Sequence, residues 1–192
     1  SQFPIMRLIG RSGRGTLPLL VVTIGKQEGP VFTRSDFPWL AEEGVPMVKG
    51  TSEEIKIGGL AIRFLLEGKA SGGSVAMFEF DVAAGARVPI AHSHDAYEET
   101  IYGLAGVLTF TVDGRKTDIA PGELLCIPRG AIHRFDNFHS ADAKMLAIVT
   151  PGVLRPDYFR EIAAVIEAAT GGPPNPAAVA EVMRRHGLTP AP

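Results

Sequence analysis

An antiparallel, all-β barrel or sandwich is the fold that this sequence predicts, and three observations carry the prediction. Nine short β-prone runs follow one another between positions 55 and 149, with no helical period between them. Many of the 22 glycines and 15 prolines punctuate short apolar runs, which is turn chemistry for a loop-rich β architecture. Apolar residues take up helical spacing only after Pro156. Strands in close succession with no intervening helix indicate antiparallel sheets, because a parallel pair needs a long crossover.

The chain as a whole narrows the class. Its 192 residues suit about one domain, and 45% hydrophobic residues suffice for a buried core. With 19 basic and 21 acidic side chains the net charge is −2, which argues against a nucleic acid or anionic membrane partner. A single cysteine, Cys126, cannot form an intrachain disulfide and suits a reducing compartment. The apolar run 17–22 follows Arg7, Arg11 and Arg14 but is short, contains Pro18 and lacks a small-residue cleavage site, so it does not read as a secretory signal. No run approaches the roughly 18 apolar residues of a membrane span. The expectation is a cytoplasmic protein.

Taken in order, residues 1–30 read as a basic, glycine-punctuated arm with one β-prone piece at 19–24. That piece either adds a strand to a partner subunit's sheet or docks on its own barrel. Residues 31–50 read as irregular, with Phe37 and Trp39 covering one barrel end. The strand signals then fall at 55–57, 60–66, 74–82, 100–104, 107–112, 116–119, 124–127, 133–137 and 144–149. Gly58-Gly59, Gly72-Gly73 and Asp113-Gly114 supply positive φ between them, and Asp-Gly between alternating strands favours a tight hairpin. After Pro156, residues Phe159, Ile162, Val165, Ile166 and Ala169 mark one helix. A second is capped by Asn175, has Pro176 at its first position and stops at Gly187. Both helices are expected to pack outside the barrel without carrying chemistry.

Three of the five histidines fall in two short runs. His92 and His94, two apart on an extended chain, leave the same face, so both imidazoles can converge on one ion at about 2.0–2.2 Å. Two carboxylates follow. Simple alternation from His94 favours Glu98, but 95–97 looks like a bend, and a bend resets strand parity. Counting back seven from Gly106 reaches Glu99, which then shares a face with Ile101 and Gly103, and Glu99 is the residue selected. Downstream, Pro128 and Gly130 build a turn that delivers His133 onto an inward-facing strand. Imidazole nitrogens with one carboxylate oxygen suit iron, manganese, nickel, copper or zinc alike.

These two runs resemble the paired motifs of the cupin superfamily. The first reads His92-Ser93-His94, four residues, Glu99, six residues, Gly106; the second reads Gly122, five residues, Pro128, one, Gly130, two, His133, three, Asn137. One departure is Gly85, a residue too far upstream of His92, which touches the length of the preceding loop and not the ligands. The 15 residues between Gly106 and Gly122 match the short connection of microbial members. The resemblance implies a jelly-roll barrel (a double-stranded β-helix) over 31–150, an arm over 1–30 and a helical extension over 151–192. It also implies one divalent metal per chain on His92, His94, Glu99 and His133, a small-molecule substrate, and a homodimer.

Three histidines and one carboxylate leave a divalent ion with about +1 charge and, if six-coordinate, with open positions, as in a catalytic site. Thr150-Pro151-Gly152 and Tyr158-Phe159-Arg160-Glu161 loosely resemble quercetin-dioxygenase-like cupins. That resemblance implies an oxidoreductase that uses dioxygen on an aromatic or flavonol-like substrate, with Glu99 as catalytic base. Two alternatives stand beside it: non-redox isomerisation, decarboxylation or hydrolysis of a small oxo- or hydroxy-acid, and a non-catalytic binding barrel. Other candidates read as structural. Cys126 is expected to be a buried small hydrophobe, Asn137 a strand-end cap or a group that binds backbone or stands behind the metal ligands, and His139 and Arg129 solvent-facing. His186 sits at a helix end where a cation suits the dipole. Tyr97, Tyr102, Phe110 and Phe135 are candidates for the lining of a pocket.

Overall fold

The computed structural model describes residues 53–87, 90–169 and 172–191. The expected arm with its strand at 19–24, and the segment carrying Phe37 and Trp39, lie outside them. The described strands are β1 (Ile55–Ile57), β2 (Leu60–Leu66), β3 (Ala76–Val82), β4 (His92–His94), β5 (Glu98–Ala105), β6 (Leu108–Val112), β7 (Arg115–Ile119), β8 (Leu124–Ile127), β9 (His133–Asp136), β10 (Ala143–Thr150) and β11 (Leu188–Pro190). Two helices, α1 (Pro156–Glu167) and α2 (Pro176–Arg185), precede β11.

The strands form two antiparallel sheets, ordered β1-β2-β3-β10-β5-β8 and β11-β4-β9-β6-β7. This is a jelly-roll β-barrel. Period-two alternation decides which side chains enter it. In β3, Ala76, Phe78, Phe80 and Val82 are buried, and in β10 Ala143, Met145, Ala147 and Val149 are, with partly exposed residues between them. Each large apolar side chain so buried contributes on the order of 1.5–3 kcal/mol. The β6–β7 hairpin turns at Asp113 and Gly114, with φ of 46° and 79°, as the Asp-Gly pair requires.

One motif glycine has a packing reason as well as a conformational one. Gly106 ends β5 at φ 65°, and a Cβ there would stand 2.2 Å from the carbonyl oxygen of Asp142. Asn137, fully buried, joins three segments: its amide nitrogen donates to the carbonyls of Val82 (3.0 Å) and Ala141 (2.9 Å), and its side-chain oxygen accepts from the His139 amide (3.0 Å). It binds backbone.

Both helices start as their sequences dictate. Proline occupies the first turn of each, and the Asn175 side chain caps α2 by accepting from the Ala177 amide at 2.9 Å. Phe159 of α1 packs edge-on against Phe78 (5.3 Å between centroids) and near Phe64 (5.8 Å). Two sequence expectations fail here. The tail is not wholly helical, since β11 follows α2 and joins the smaller sheet. Cys126 is exposed, because alternation on β8 turns Leu125 and Ile127 inward and Cys126 outward.

Candidate metal centre

β4 and β9 lie side by side with His92 opposite His133, and this register brings the two motifs together. The Gly130 amide reinforces the junction by donating to the His94 carbonyl at 2.9 Å. Ring centroids of the three histidines are then 4.5–4.9 Å apart. Each offers a ring nitrogen, and these atoms lie within 4.8 Å of one another, the scale of donors around one ion. His94 and His133 are buried, and His92 is half-buried.

The ring nitrogens are already sorted for a metal. His133 Nδ1 lies 3.0 Å from the Ala131 carbonyl oxygen, so the neutral ring donates its N–H there and presents the Nε2 lone pair. That Nε2 is buried and makes no hydrogen bond. An orphaned, inward imidazole nitrogen beside two others is costly unless something binds it. His92 repeats the pattern less tightly, with Nδ1 3.4 Å from the Ile90 carbonyl oxygen. The Tyr97 ring stacks on His94 at 4.2 Å and backs it from the far side.

The two carboxylates separate cleanly. In the β5–β10 ladder Glu99, Ile101 and Gly103 pair with Val149, Ala147 and Met145, the buried positions of β10. Glu99 therefore points inward, with one carboxylate oxygen 3.5 Å from His133 Nε2 and 4.0 Å from His94 Nδ1. Glu98 points away and pairs with Arg129 at 2.9 Å, where Arg129 is half-exposed. The bend at 95–97 does reset parity. Glu99 flanks the trio on the His94–His133 side.

Burial and mutual charge set the protonation of the cluster. Burial pushes His92 down to about 3 and His94 down to about 4, and neighbouring imidazoles push the same way. His133 is also penalised by burial, but the Glu99 carboxylate and the Ala131 carbonyl outweigh that and hold it above the usual histidine value. Burial would raise Glu99, yet His133, His94 and His92 hold its carboxyl below the usual range.

This arrangement fixes a sign for acid stability. The stability from neutral His92 and His94 is present above their unfolded value of 6.5 and is lost as the pH falls towards about 4 and about 3. The unfolded chain takes up protons in that window and the folded barrel refuses them. Glu99 adds to the loss below 4.5, whereas the stabilisation from His133, shifted upward, is fully present below 6.5 and lost only as the pH rises above it. The metal-free protein is therefore expected to lose melting temperature steadily from pH 6.5 to 4. A melting temperature that is flat or rises across that interval would count against two rings held neutral.

A cavity of about 300 Å³ opens onto the cluster. Phe78, Phe80, Phe110 and Phe135 line it from the barrel. Tyr158, Phe159, Val179 and Met183 line it from α1 and α2, and Leu188 from β11. The helices that the sequence placed outside the barrel thus wall its cavity. Their helical period reveals an apolar face but not what that face covers. Tyr158 is the one hydroxyl among the described lining residues; burial and the Glu99 charge push it up, so it stays a protonated donor. Arg87 is the one permanent cation there, and its guanidinium lies 5.1 Å from the Phe138 ring centroid. Of the expected pocket aromatics, Phe110 and Phe135 line the cavity, whereas Tyr102 is partly exposed and Tyr97 lies behind His94. His139 sits 3.8 Å from Asp118, and His186 3.0 Å from Glu161, both away from the cluster. Among the described residues, no helix is long and apolar enough to cross a membrane.

Fold and site together define a jelly-roll barrel whose inner histidines are positioned to bind a metal. The family model for the cupin domain matches residues 78–149. It is 27% identical over 125 residues to quercetin 2,3-dioxygenase of Bacillus subtilis (strain 168), an overlap of 64% of this chain and 36% of that protein. The chain thus spans about a third of the length of the curated relative it matches. Among solved structures, KdgF from a Halomonas species is similar with a TM-score of 0.48 and 15% identity, over 57% of this chain and 96% of its own. A predicted oxalate decarboxylase from Thermotoga maritima is similar with a TM-score of 0.48 and 22% identity, over 54% and 93% of the respective chains.

Proposed function

We propose that this protein is a metal-dependent dioxygenase acting on an aromatic, flavonol-like small molecule, with His92, His94, Glu99 and His133 holding the ion. The observation that carries the reading is the cavity: aromatic and apolar walls lead to three histidines and one inward-facing carboxylate. Such walls desolvate a planar aromatic body, and a few polar groups at one end fix its orientation. The weak similarity to quercetin 2,3-dioxygenase supports the same substrate class.

A bound divalent ion would supply Lewis acidity to a substrate hydroxyl and, if redox-active, an electronic route between substrate and dioxygen. The chain's own residues do the rest. Glu99, at the edge of the histidine trio, accepts the hydroxyl proton. Tyr158, held protonated, donates a hydrogen bond to a substrate oxygen within the cavity. The phenylalanines exclude water from the reacting carbon atoms. With one cysteine and balanced charge, we place this chemistry in the cytoplasm.

The test is oxygen uptake by protein reconstituted separately with iron, manganese, nickel, copper and zinc, using quercetin as substrate. Uptake that requires both flavonol and one of the redox-active ions is expected. No uptake with any ion, across flavonols and catechols, would sink the dioxygenase reading and leave non-redox chemistry on a small acid, for which Arg87 is the available carboxylate partner.

A further inference from the structure

The strand that carries His92 and His94 is only three residues long, and on one side it is weakly joined to the barrel. Towards β9 it makes one residue pair, His92 with His133, plus the Gly130 amide bond to the His94 carbonyl. On the other side every residue is paired, and the partner is β11: Leu188 lies opposite His94, Thr189 opposite Ser93 and Pro190 opposite His92. Two contacts extend the ladder. The Ala191 amide donates to the Ala91 carbonyl at 2.8 Å, and the Thr189 hydroxyl donates to the Asp95 carboxylate at 3.1 Å.

The sequence of β11 fits this station. Hydrogen-bonded and non-hydrogen-bonded pairs alternate along an antiparallel ladder. Ala191 bonds Ala91, so the next bonded pair is Thr189 with Ser93. Pro190, which has no N–H, falls at a position where none is needed. Gly187, at φ 78°, turns the chain out of α2, and Leu188 is buried in the cavity wall. A three-residue strand held by a single pair would open at little cost in free energy. β11 gives it a second, longer ladder.

The geometry points to β11 as a positioning strand for the metal centre: residues 188–190 hold His92 and His94 at the separation from His133 that one ion needs. This rests on the metal-centre reading given above. β11 lies beyond the matched cupin domain, which ends at residue 149, so the working site extends some forty residues past it. The residues of β11 need not touch the ion; they act through the backbone of its ligands.

Thr189→Pro in the full chain removes the central N–H of the ladder and changes none of the ligand residues. Cobalt(II) is the probe, with affinity read by competition against a chromophoric chelator and ligand geometry read from d–d absorption. Binding weaker by about tenfold or more is expected, the loss typical of groups that orient metal ligands, together with a shifted spectrum. Asn175→Ala, which uncaps α2 without touching β11, should lower the melting temperature yet keep wild-type affinity and spectrum.

A second measurement uses the wild-type protein and does not depend on the variant folding. Coupling is reciprocal, so zinc loading must slow hydrogen exchange at the Thr189 and Ala191 amides if β11 favours metal binding. Unchanged exchange at these amides, or wild-type cobalt affinity and spectrum in Thr189→Pro, would overturn the role of β11. Wild-type protein that takes up no metal at all would instead overturn the metal centre itself.

Discussion

His133→Ala is expected to strip the chain of its metal and leave the barrel folded. His133 is the one ligand candidate on β9, and its Nε2 is the buried nitrogen that makes no hydrogen bond. Its removal leaves two imidazoles on one strand and a carboxylate with no third nitrogen opposite. Groups that merely orient ligands cost about 10–100-fold in affinity when lost, and losing a ligand should exceed that range. Elemental analysis should fall from one equivalent per chain to under about a tenth. The β9 backbone pairing with β6 does not depend on the side chain, so far-UV circular dichroism should be unchanged. A variant that keeps one equivalent at wild-type affinity would remove His133 from the centre.

Glu99→Gln is expected to separate holding the metal from using it. Glutamine keeps the shape and one acceptor oxygen but can neither carry charge nor accept a proton at neutral pH. With metal loaded to saturation, turnover should fall by about 10²–10⁴-fold, the usual contribution of a positioned general base. Saturating metal removes the part of the loss that comes from weaker binding. Glu98→Gln is the comparison: its side chain pairs with Arg129 on the outer side of β5, and turnover should stay at the wild-type level. If Glu99→Gln turned over within a few-fold of wild type, the proton would have to go elsewhere, and Tyr158 and solvent would be the next candidates.

Much of the site was legible in the residue order because β geometry is local. His92 and His94 share a face by alternation alone, and turns at Asp113-Gly114 and Pro128–Gly130 follow from backbone chemistry. Glu99 required more. Its parity depends on the bend before it, and only its pairing with Val149 on β10 turns it inward and Glu98 outward. Cys126 shows the converse error: an apolar run suggests burial, but a strand with one face to solvent exposes alternate residues whatever their type.

What the sequence determined by itself is the set of short-range facts: strand periods, turn positions, helix caps, and a ligand set whose spacing already points to one ion. What only the tertiary structure decided is which distant segments meet. The sequence holds no sign that Leu188–Pro190 would pair with His92–His94, since three residues carry too little pattern to announce a strand. Nor could helical period tell that Tyr158 and Met183 would wall the cavity, because an amphipathic face records that it is buried and not against what. Pairing and burial at long range are settled by the whole chain's packing, and there the barrel acquires both its second wall and the strand that steadies its histidines.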